Sequence, residues 1–580
     1  MRLASALRLA PARVEVERRA DGTLLVRSSA RIEFPPETVG RWLDHWAVHA
    51  PERTFLAERS GERWHRLTYG EALAQARRVA AGLLARRLNA AKPIVILADN
   101  SIDHAMLALG AMYVGLAVAP ISPAYELMSK DFGKLRHIFR LLEPELVWTA
   151  DARKFGPALE AVSTRATALV DIVAEPATAS VEAASRTVAP ETMAKVLFTS
   201  GSTGIPKGVI NTHGMITANQ RQSAAVWPFI AGLPPIVVDW LPWNHTFGGN
   251  YNFFMVLSSG GTMYIDAGKP APGLIDVTVR NLREISPNMY FNVPRGFDLL
   301  LPFLENDAAL RQTFFRDLRF VFYAGAALPQ NLWERFERLA LAERGGDLAL
   351  VSAWGATETA PLVTAVHYPI ERAGIVGLPV PGCEIKLLAS AGKLEARVRG
   401  PNVAPGYFGD AALTREAFDE EGFYRIGDAL RFADPGEPAK GLVFDGRIAE
   451  DFKLSTGTWV HAGAVRLKLI AAADPLVQDA VITGHDRDEV GAIVFLSPAA
   501  SARQPAEIRA GLAQALRVLA TEKASSMHPV RLVIANEPPS ADGNEITDKG
   551  YINQRAVRER RSQLVEALHA PVPGPEVVTC

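Results

Sequence analysis

Short apolar runs separated by stretches of helical periodicity set the rhythm of the chain up to about residue 374. The runs are 93–97 (PIVIL), 146–149 (LVWT), 195–199 (KVLFT), 235–239 (PIVVD), 261–266 (GTMYID), 289–293 (MYFNV) and 320–323 (FVFY). Continuous Val, Ile, Leu and Phe, bounded by turn residues, is the signature of strands buried on both faces, so these runs predict a parallel sheet covered by helices such as 69–88. The span 105–125 carries no charge, but Gly110, Gly115, Pro120 and Pro123 interrupt it. It predicts a buried helix running into a buried strand, not a bilayer span. Beyond Gly374 the pattern shortens and alternates, in 375–388 (IVGLPVPGCEIKLL), 392–400 (GKLEARVRG) and 441–447 (GLVFDGR). This predicts a small antiparallel β-unit over about 374–447. After a shift at 445–447, AVITGH, GAIVFLS and RLVIAN alternate with helical stretches such as 505–522, the texture of a compact α+β unit. The reading is α/β, with a large N-terminal domain over 1–447 and a small C-terminal domain over 448–580. No fixed-period repeat intervenes.

The 580 residues exceed what one hydrophobic core usually serves, so two or more domains are expected on size as well. A net charge of -1, with 48% hydrophobic and 22% charged residues, excludes the basic excess of a nucleic-acid binder and the acidic excess of a disordered chain. Two cysteines, Cys383 and Cys580, make no disulfide framework, and a reducing, cytoplasmic setting is expected. Arg8 breaks the apolar start of the chain, so no signal peptide and no membrane partner are expected.

The densest chemistry lies at 199–208, TSGSTGIPKG, directly after an apolar strand. Gly201, Gly204 and Gly208 permit tight turns and close approach to an anion, and successive N–H groups in such a loop form an anion nest. Thr199, Ser200, Ser202 and Thr203 add hydroxyls, and Lys207 adds positive charge. It is not a Walker-type loop, because Pro206 precedes the lysine and Gly208 follows it. Four further segments carry candidate groups: YAGAAL at 323–328, WGATE at 354–358, YRIGD at 424–428 and NEITDKGYINQRAV at 544–557.

The string at 199–208 resembles the phosphate loop of the adenylate-forming superfamily, which includes acyl-CoA synthetases, firefly-type luciferases and peptide-synthetase adenylation domains. The other segments follow in that superfamily's order, from about Thr38 to about Ala556. The resemblance implies a large adenylate-forming domain and a small mobile C-terminal domain. It implies that Gly325, Ala326 and Ala327 line the adenine site, with Tyr323 and Gly325 also bordering the acid. Trp354 and Gly355 stand in the usual Tyr-Gly-x-Thr-Glu, where the aromatic ring stacks on adenine. Thr357 would bond the α-phosphate and Glu358 would hold Mg²⁺, an ion whose remaining ligands are usually water and substrate phosphate. Asp428 would accept both ribose hydroxyls, and Arg447 would join it. Ile426 replaces the usual threonine, and Asp548 the usual glycine before the lysine. Lys549 would bridge the carboxylate and α-phosphate as negative charge develops there; Lys523 lacks the flanking glycine. The hinge position, commonly Asp or Lys, is Ala449, followed by Glu450, and Lys453 matches a lysine often found soon after.

The implied reaction is that of an ATP-dependent acid–CoA ligase. A carboxylate and ATP give acyl-AMP, and the thiol of CoA then displaces AMP, the two steps being separated by rotation of the small domain. In 243–254, WNHTFGGNYNFF, His245 stands where the superfamily gates the acyl pocket. Phe247 and Phe254 offer aromatic walls, and Asn250 and Asn252 offer polar groups. The segments 120–139, 446–460 and 546–557 are particularly similar to bacterial feruloyl-CoA synthetases, which implies ferulate or a related aromatic carboxylic acid as partner. Benzoates, arylacetates and medium-chain acids are alternatives, as is a nucleotide-binding sensor on the same fold. A monomer or homodimer is expected.

Overall fold

The computed structural model describes residues 7–173, 179–200, 204–271, 273–326, 328–345, 348–390, 392–498, 500, 503–521, 526, 528–540, 542–546 and 552–580. Each of the seven apolar runs is a strand. Ile94–Leu97 pairs in parallel with Val118–Pro120 and Val147–Thr149, and Val118–Pro120 meets Met193–Ser200 in parallel at Val118 and Lys195. Met193–Ser200 then turns back antiparallel into Pro206–Thr212, closing a five-stranded sheet. A second sheet pairs Ile236–Asp239 in parallel with Thr262–Ile265, which borders the hairpin of Thr54–Ser60 and Arg63–Thr68. The helix Tyr69–Ala85 begins in a reciprocal cap, with Thr68 accepting from the Glu71 backbone N–H and the Glu71 carboxylate accepting from that of Thr68. The uncharged span resolves as expected into the helix Ile102–Tyr113, capped by Ser101, and the strand Val118–Pro120.

The third sheet contains the antiparallel strands expected over about 374–447. Glu384–Ser390, Lys393–Arg399, Tyr424–Phe432, Leu442–Arg447 and Ile375–Pro379 do form antiparallel strands. They are continuous, through Leu362–Ala365 and Ala349–Gly355, with the parallel strands Phe320–Tyr323 and Met289–Asn292. The outer edge is completed by the N-terminal hairpin Val14–Arg18 and Leu24–Ser28, whose second strand pairs with Glu384–Ser390. One run of eleven strands thus joins the two ends of the first 447 residues.

The C-terminal residues have their own core. Val477–Thr483, Gly491–Leu496, Arg531–Ile534 and Val577–Thr579 form one sheet. Leu469, Leu512 and Leu516 cover one face, and Val557 and Leu568 cover the other. Hydrogen bonds tie this unit to the larger one at Lys393 and at Lys130. Lys393 Nζ donates to the Asp445 carbonyl (2.5 Å) and pairs with the buried Asp451, which also binds His461 Nδ1 at 3.0 Å. The Lys130 backbone N–H donates to the Asp542 carboxylate at 2.9 Å. Among the described residues no helix is long and apolar enough to cross a membrane, and Cys383 and Cys580 are free thiols.

Candidate active site

The strand Met193–Ser200 ends at the carboxyl edge of its sheet, and the chain re-enters it at Pro206, with Thr199 opposite Lys207. Gly204 is buried in the connection with φ +78°, a left-handed conformation natural to glycine. Lys207 is half-buried, its ammonium 5.7 Å from the centre of the Tyr407 ring. The backbone around Tyr407 is laced to this loop's return strand: Phe408 N–H donates to Gly208 O (2.7 Å) and Ile210 N–H to Gly406 O (3.2 Å).

Tyr407 carries the loop's position to the acidic group. Its hydroxyl donates to Glu358 Oε1 at 2.9 Å and lies 3.2 Å from the Tyr424 hydroxyl. Burial, followed by the neighbouring Glu358, raises the pKa of both phenols, so both stay protonated. Ala404 N–H donates to Glu358 O (2.7 Å), and Asn402 Nδ2 donates to Thr359 O (2.7 Å). The short turn Thr357–Thr359 is thereby pinned from below, with Thr357 and Glu358 both buried.

Tyr424 opens the strand that carries Asp428. Asp428 Oδ2 accepts from the Trp354 indole N–H at 2.8 Å, and its Oδ1 lies 3.6 Å from Arg447 Nε. Arg447 faces Asp428 across the strand pair and is itself largely exposed. Burial pushes the Asp428 carboxyl up to about 6, against the opposing pull of Arg447 and Trp354. Gly355 follows Trp354 at a bulge where any Cβ would collide with the Pro361 carbonyl. Gly325, with φ +89°, and Ala326 are exposed beyond the end of Phe320–Tyr323. Lys207, Tyr407, Glu358, Tyr424, Asp428 and Trp354 thus form one linked circuit between two sheets. Tyr407 and Tyr424 were missed as site residues in the sequence. The Gly-Tyr pair at 406–407, in a stretch otherwise resembling a loop, was the available signal.

The 243–254 segment folds as a tight π-helical turn, Thr246–Asn252, running into the helix Phe253–Ser258. A Cβ on Gly248 or Gly249 would run into the carbonyls of Leu241 or Trp243, so the turn is seated on that backbone. His245 caps it, its Nδ1 accepting from Phe247 N–H at 3.2 Å. Phe247 meets Phe322 with ring centres 5.5 Å apart, and Tyr251 stacks on Phe322 at 5.5 Å. Two further residues expected at the pocket are also enclosed. Phe254 is fully buried against Trp42 and Phe253. Tyr323 lies on the face of its strand opposite Phe322, in the second core cluster. The asparagine N–H groups are also engaged by protein. Asn250 Nδ2 donates to Asn211 Oδ1 (2.8 Å), and Asn252 Nδ2 donates to Asp239 Oδ2 (3.0 Å). Their Oδ1 atoms remain buried without a partner among the described residues. Behind the turn, Lys195 is fully enclosed. Its Nζ donates to Gly249 O at 2.8 Å and sits 4.7 Å over the Phe254 ring, and burial lowers its pKa to about 7.

Gly201, Ser202, Thr203, Ala327 and Lys549 lie outside the described residues, as do Asp548, Lys523 and the side chain of Ser200. Among the described residues no cluster of three metal-ligating side chains occurs. A single buried carboxylate with one oxygen held by Tyr407 still fits Mg²⁺, which takes one or two carboxylates and completes its shell with phosphate and water.

The architecture is that of an α/β adenylate-forming fold. ATP-bound MatB from Rhodopseudomonas palustris superposes with a TM-score of 0.68 at 21% identity, over 91% of this chain and 100% of that one. The anthranilate CoA ligase AuaEII, crystallised with anthranoyl-AMP, superposes with a TM-score of 0.71 at 19% identity, over 91% and 98%. The chain belongs to the AMP-binding enzyme family, whose model matches residues 43–408, and the model of the AMP-binding enzyme C-terminal domain matches 452–572. A probable CoA ligase of Humulus lupulus is 24% identical over 371 residues, 60% of this chain and 58% of that protein. The long-chain-fatty-acid–CoA ligase of Escherichia coli O157:H7 is 31% identical over 41% of this chain and 44% of that protein. The 3-hydroxybenzoate–CoA ligase of Aromatoleum sp. (strain CIB) is 25% identical over 73% and 79%. The chain thus spans about half the length of the first two relatives.

Proposed function

We propose that the protein is an AMP-forming acid–CoA ligase that activates a hydroxycinnamic acid, ferulate foremost, at the circuit joining Lys207, Glu358, Asp428 and Trp354. The observation that carries this reading is that circuit. A positively charged phosphate loop, a buried carboxylate and a ribose-type aspartate beside an aromatic face are fixed relative to one another before any ligand arrives. Preorganisation of this kind is what in-line phosphoryl chemistry requires, since positioning and charge neutralisation supply most of its rate. In our assignment Asp428 receives the ribose hydroxyls, Trp354 covers the adenine, and Thr357 and the loop hold the α-phosphate. Mg²⁺ at Glu358 would neutralise phosphate charge. The substrate carboxylate attacks the α-phosphorus and pyrophosphate leaves. The CoA thiolate then attacks the acyl carbon, and AMP departs with the C–O electron pair. Lys549 serves the first step alone, which makes the junction near 446–448 between domains 1–447 and 448–580 a moving part.

For the acid, the support is a wall of Phe247, Tyr251 and Phe322 together with the two unpartnered amide oxygens of Asn250 and Asn252, which call for hydroxyl donors. A phenolic ring meets that need, and an alkyl chain does not. The relative acting on 3-hydroxybenzoate and the structure holding anthranoyl-AMP favour a benzoate as the second reading. ATP–pyrophosphate exchange with ferulate, p-coumarate, caffeate, 3-hydroxybenzoate and octanoate decides between them. Ferulate is expected to drive the fastest exchange. Exchange with octanoate alone would overturn the aromatic reading, and exchange with no acid would favour a nucleotide sensor.

A further inference from the structure

Three consecutive carbonyls of the π-helical turn Thr246–Asn252 accept hydrogen bonds from buried side chains of other elements. Gly249 O accepts from Lys195 Nζ at 2.8 Å, and Asn250 O and Tyr251 O both accept from the Gln220 amide nitrogen, each at 3.1 Å. The turn is wide, for Phe253 N–H donates to Gly248 O, five residues back. Such turns are rare and frequently mark functional sites. Donors from outside compete with the closer bonds of an ordinary helix, which is one way a side chain holds a helical ladder open. The carbonyls that Gln220 grips belong to Tyr251, whose ring stacks on Phe322 at 5.5 Å, and to Asn250, whose Oδ1 is buried without a partner among the described residues.

Gln220 is itself held in register. Its helix, His213–Val226, starts at the end of the strand Pro206–Thr212, where Thr212 Oγ1 accepts from Met215 N–H. On either side of Gln220, two buried amides tie this helix to the segment that leaves the Thr357–Thr359 turn. Asn219 Nδ2 donates to Gln222 Oε1 and to Leu362 O, each at 2.9 Å, and Asn219 Oδ1 accepts from Leu362 N–H at 3.2 Å. Gln222 Nε2 donates to Pro381 O (3.0 Å) and to Asn402 Oδ1 (3.2 Å), and Asn402 Nδ2 donates in turn to Thr359 O and Leu362 O. With these amides matched donor for acceptor, the helix can neither slide nor roll without breaking several buried bonds. An apolar side chain at 220 would fill the same buried slot, so what the amide adds is its grip on the two carbonyls.

From this geometry we infer that Gln220 is a specificity-determining positioning residue. By holding Asn250 O and Tyr251 O it keeps the turn wide, and so fixes where the Tyr251 ring and the Asn250 amide oxygen meet the ring of the acid. It acts through these two residues and not by contact with the acid. The inference rests on reading 243–254 as the wall of the acid pocket, but not on which aromatic acid is preferred.

The test is the ratio of kcat/KM for ferulate to kcat/KM for 3-hydroxybenzoate, measured by pyrophosphate exchange in the full-length protein. Gln220→Met, Gln220→Asn and Phe247→Ala stand beside the wild type. Methionine nearly matches glutamine in size but lacks its N–H groups. Asparagine keeps the amide and is one methylene shorter, a milder change should the methionine variant not fold. A ratio between two acids in one preparation does not depend on how much of the protein is folded, so a purely structural role leaves it unchanged. Gln220→Met is expected to shift the ratio about tenfold, and Gln220→Asn by less, with the ATP KM unchanged. A ratio that holds its wild-type value in both Gln220 variants yet shifts in Phe247→Ala overturns the inference and leaves the acid pocket in place. So does an ATP KM that rises as much as the ratio shifts. A ratio that shifts in none of the three variants removes 243–254 from the acid pocket, and the inference with it. A wild type active with neither acid sinks both.

Discussion

Trp354 does two things that its position separates cleanly. Its ring offers a stacking face, and its indole N–H donates to Asp428. Trp354→Phe keeps the first and removes the second. The Asp428 carboxyl is already raised to about 6 by burial, and losing a donor raises it further. The ribose recognition proposed for Asp428 needs the carboxylate, so ATP binding is expected to be present above the folded pKa and to fall as pH drops through about 6. In Trp354→Phe that midpoint moves upward, which a pH series of binding isotherms measures. The stability linkage runs the other way. An acid whose pKa is raised on folding binds more protons when folded, so its contribution declines as pH rises from about 4 to 6. At Glu358, the carboxylate proposed to hold Mg²⁺, Tyr407→Phe removes one hydrogen bond to a charged oxygen. The expected result is an ATP KM about tenfold higher with AMP affinity little changed, read from steady-state kinetics and titration.

At the scale of the element, Lys195 links the strand that leads into the proposed phosphate loop to the π-helical turn of the proposed acyl pocket through Gly249 O. Burial holds its pKa near 7, far below its unfolded value of about 10.5. A base depressed on folding is bound by more protons in the unfolded chain over that window, so stability rises with pH above 7. Against Lys195→Met, the wild type is expected to gain about 2 kcal/mol between pH 7 and pH 9 in urea unfolding. A parallel pH dependence in the two proteins would contradict the depressed lysine. The strands were readable from sequence because burial on both faces forces continuous apolar runs, as in Ile94–Leu97 and Phe320–Tyr323. The hairpin at Val14–Arg18 was not. Its VEVER leaves four of its five residues exposed, and its second strand's partner, Glu384–Ser390, lies hundreds of residues away. In the site, Asp428, Trp354, Thr357 and Glu358 were legible as motifs. Tyr407 and Phe322 were not, because their roles arise from which neighbour lies across a sheet or on which face of a strand, and local sequence does not encode that.

For the molecule as a whole, the junction between the two units is held by Lys393, which grips the Asp445 carbonyl on one side of residues 446–448 and the Asp451 carboxylate on the other. Both side chains are 4% exposed. Removing one partner of a buried pair leaves the other uncompensated, so Asp451→Asn is expected to lower stability by about 3 kcal/mol. It should also broaden the spread of separations between labels on the two units, measured by single-molecule energy transfer. Lys549→Ala is expected to abolish pyrophosphate exchange while a synthetic acyl-adenylate still reacts with CoA. Equal loss of both half-reactions would argue against a lysine specific to the first step.

The hairpin of Val14–Arg18 and Leu24–Ser28 forms the two outermost strands of the eleven-stranded sheet beside Glu384–Ser390, and Val26 on it is completely enclosed. A shortened protein starting at residue 29 would keep every catalytic group proposed above. It would nevertheless bare the backbone N–H and C=O row of Glu384–Ser390, an open template on which further chains can add. Such a truncation should surface as concentration-dependent self-association, and a fault in assembly behaviour would then be mistaken for a fault in chemistry.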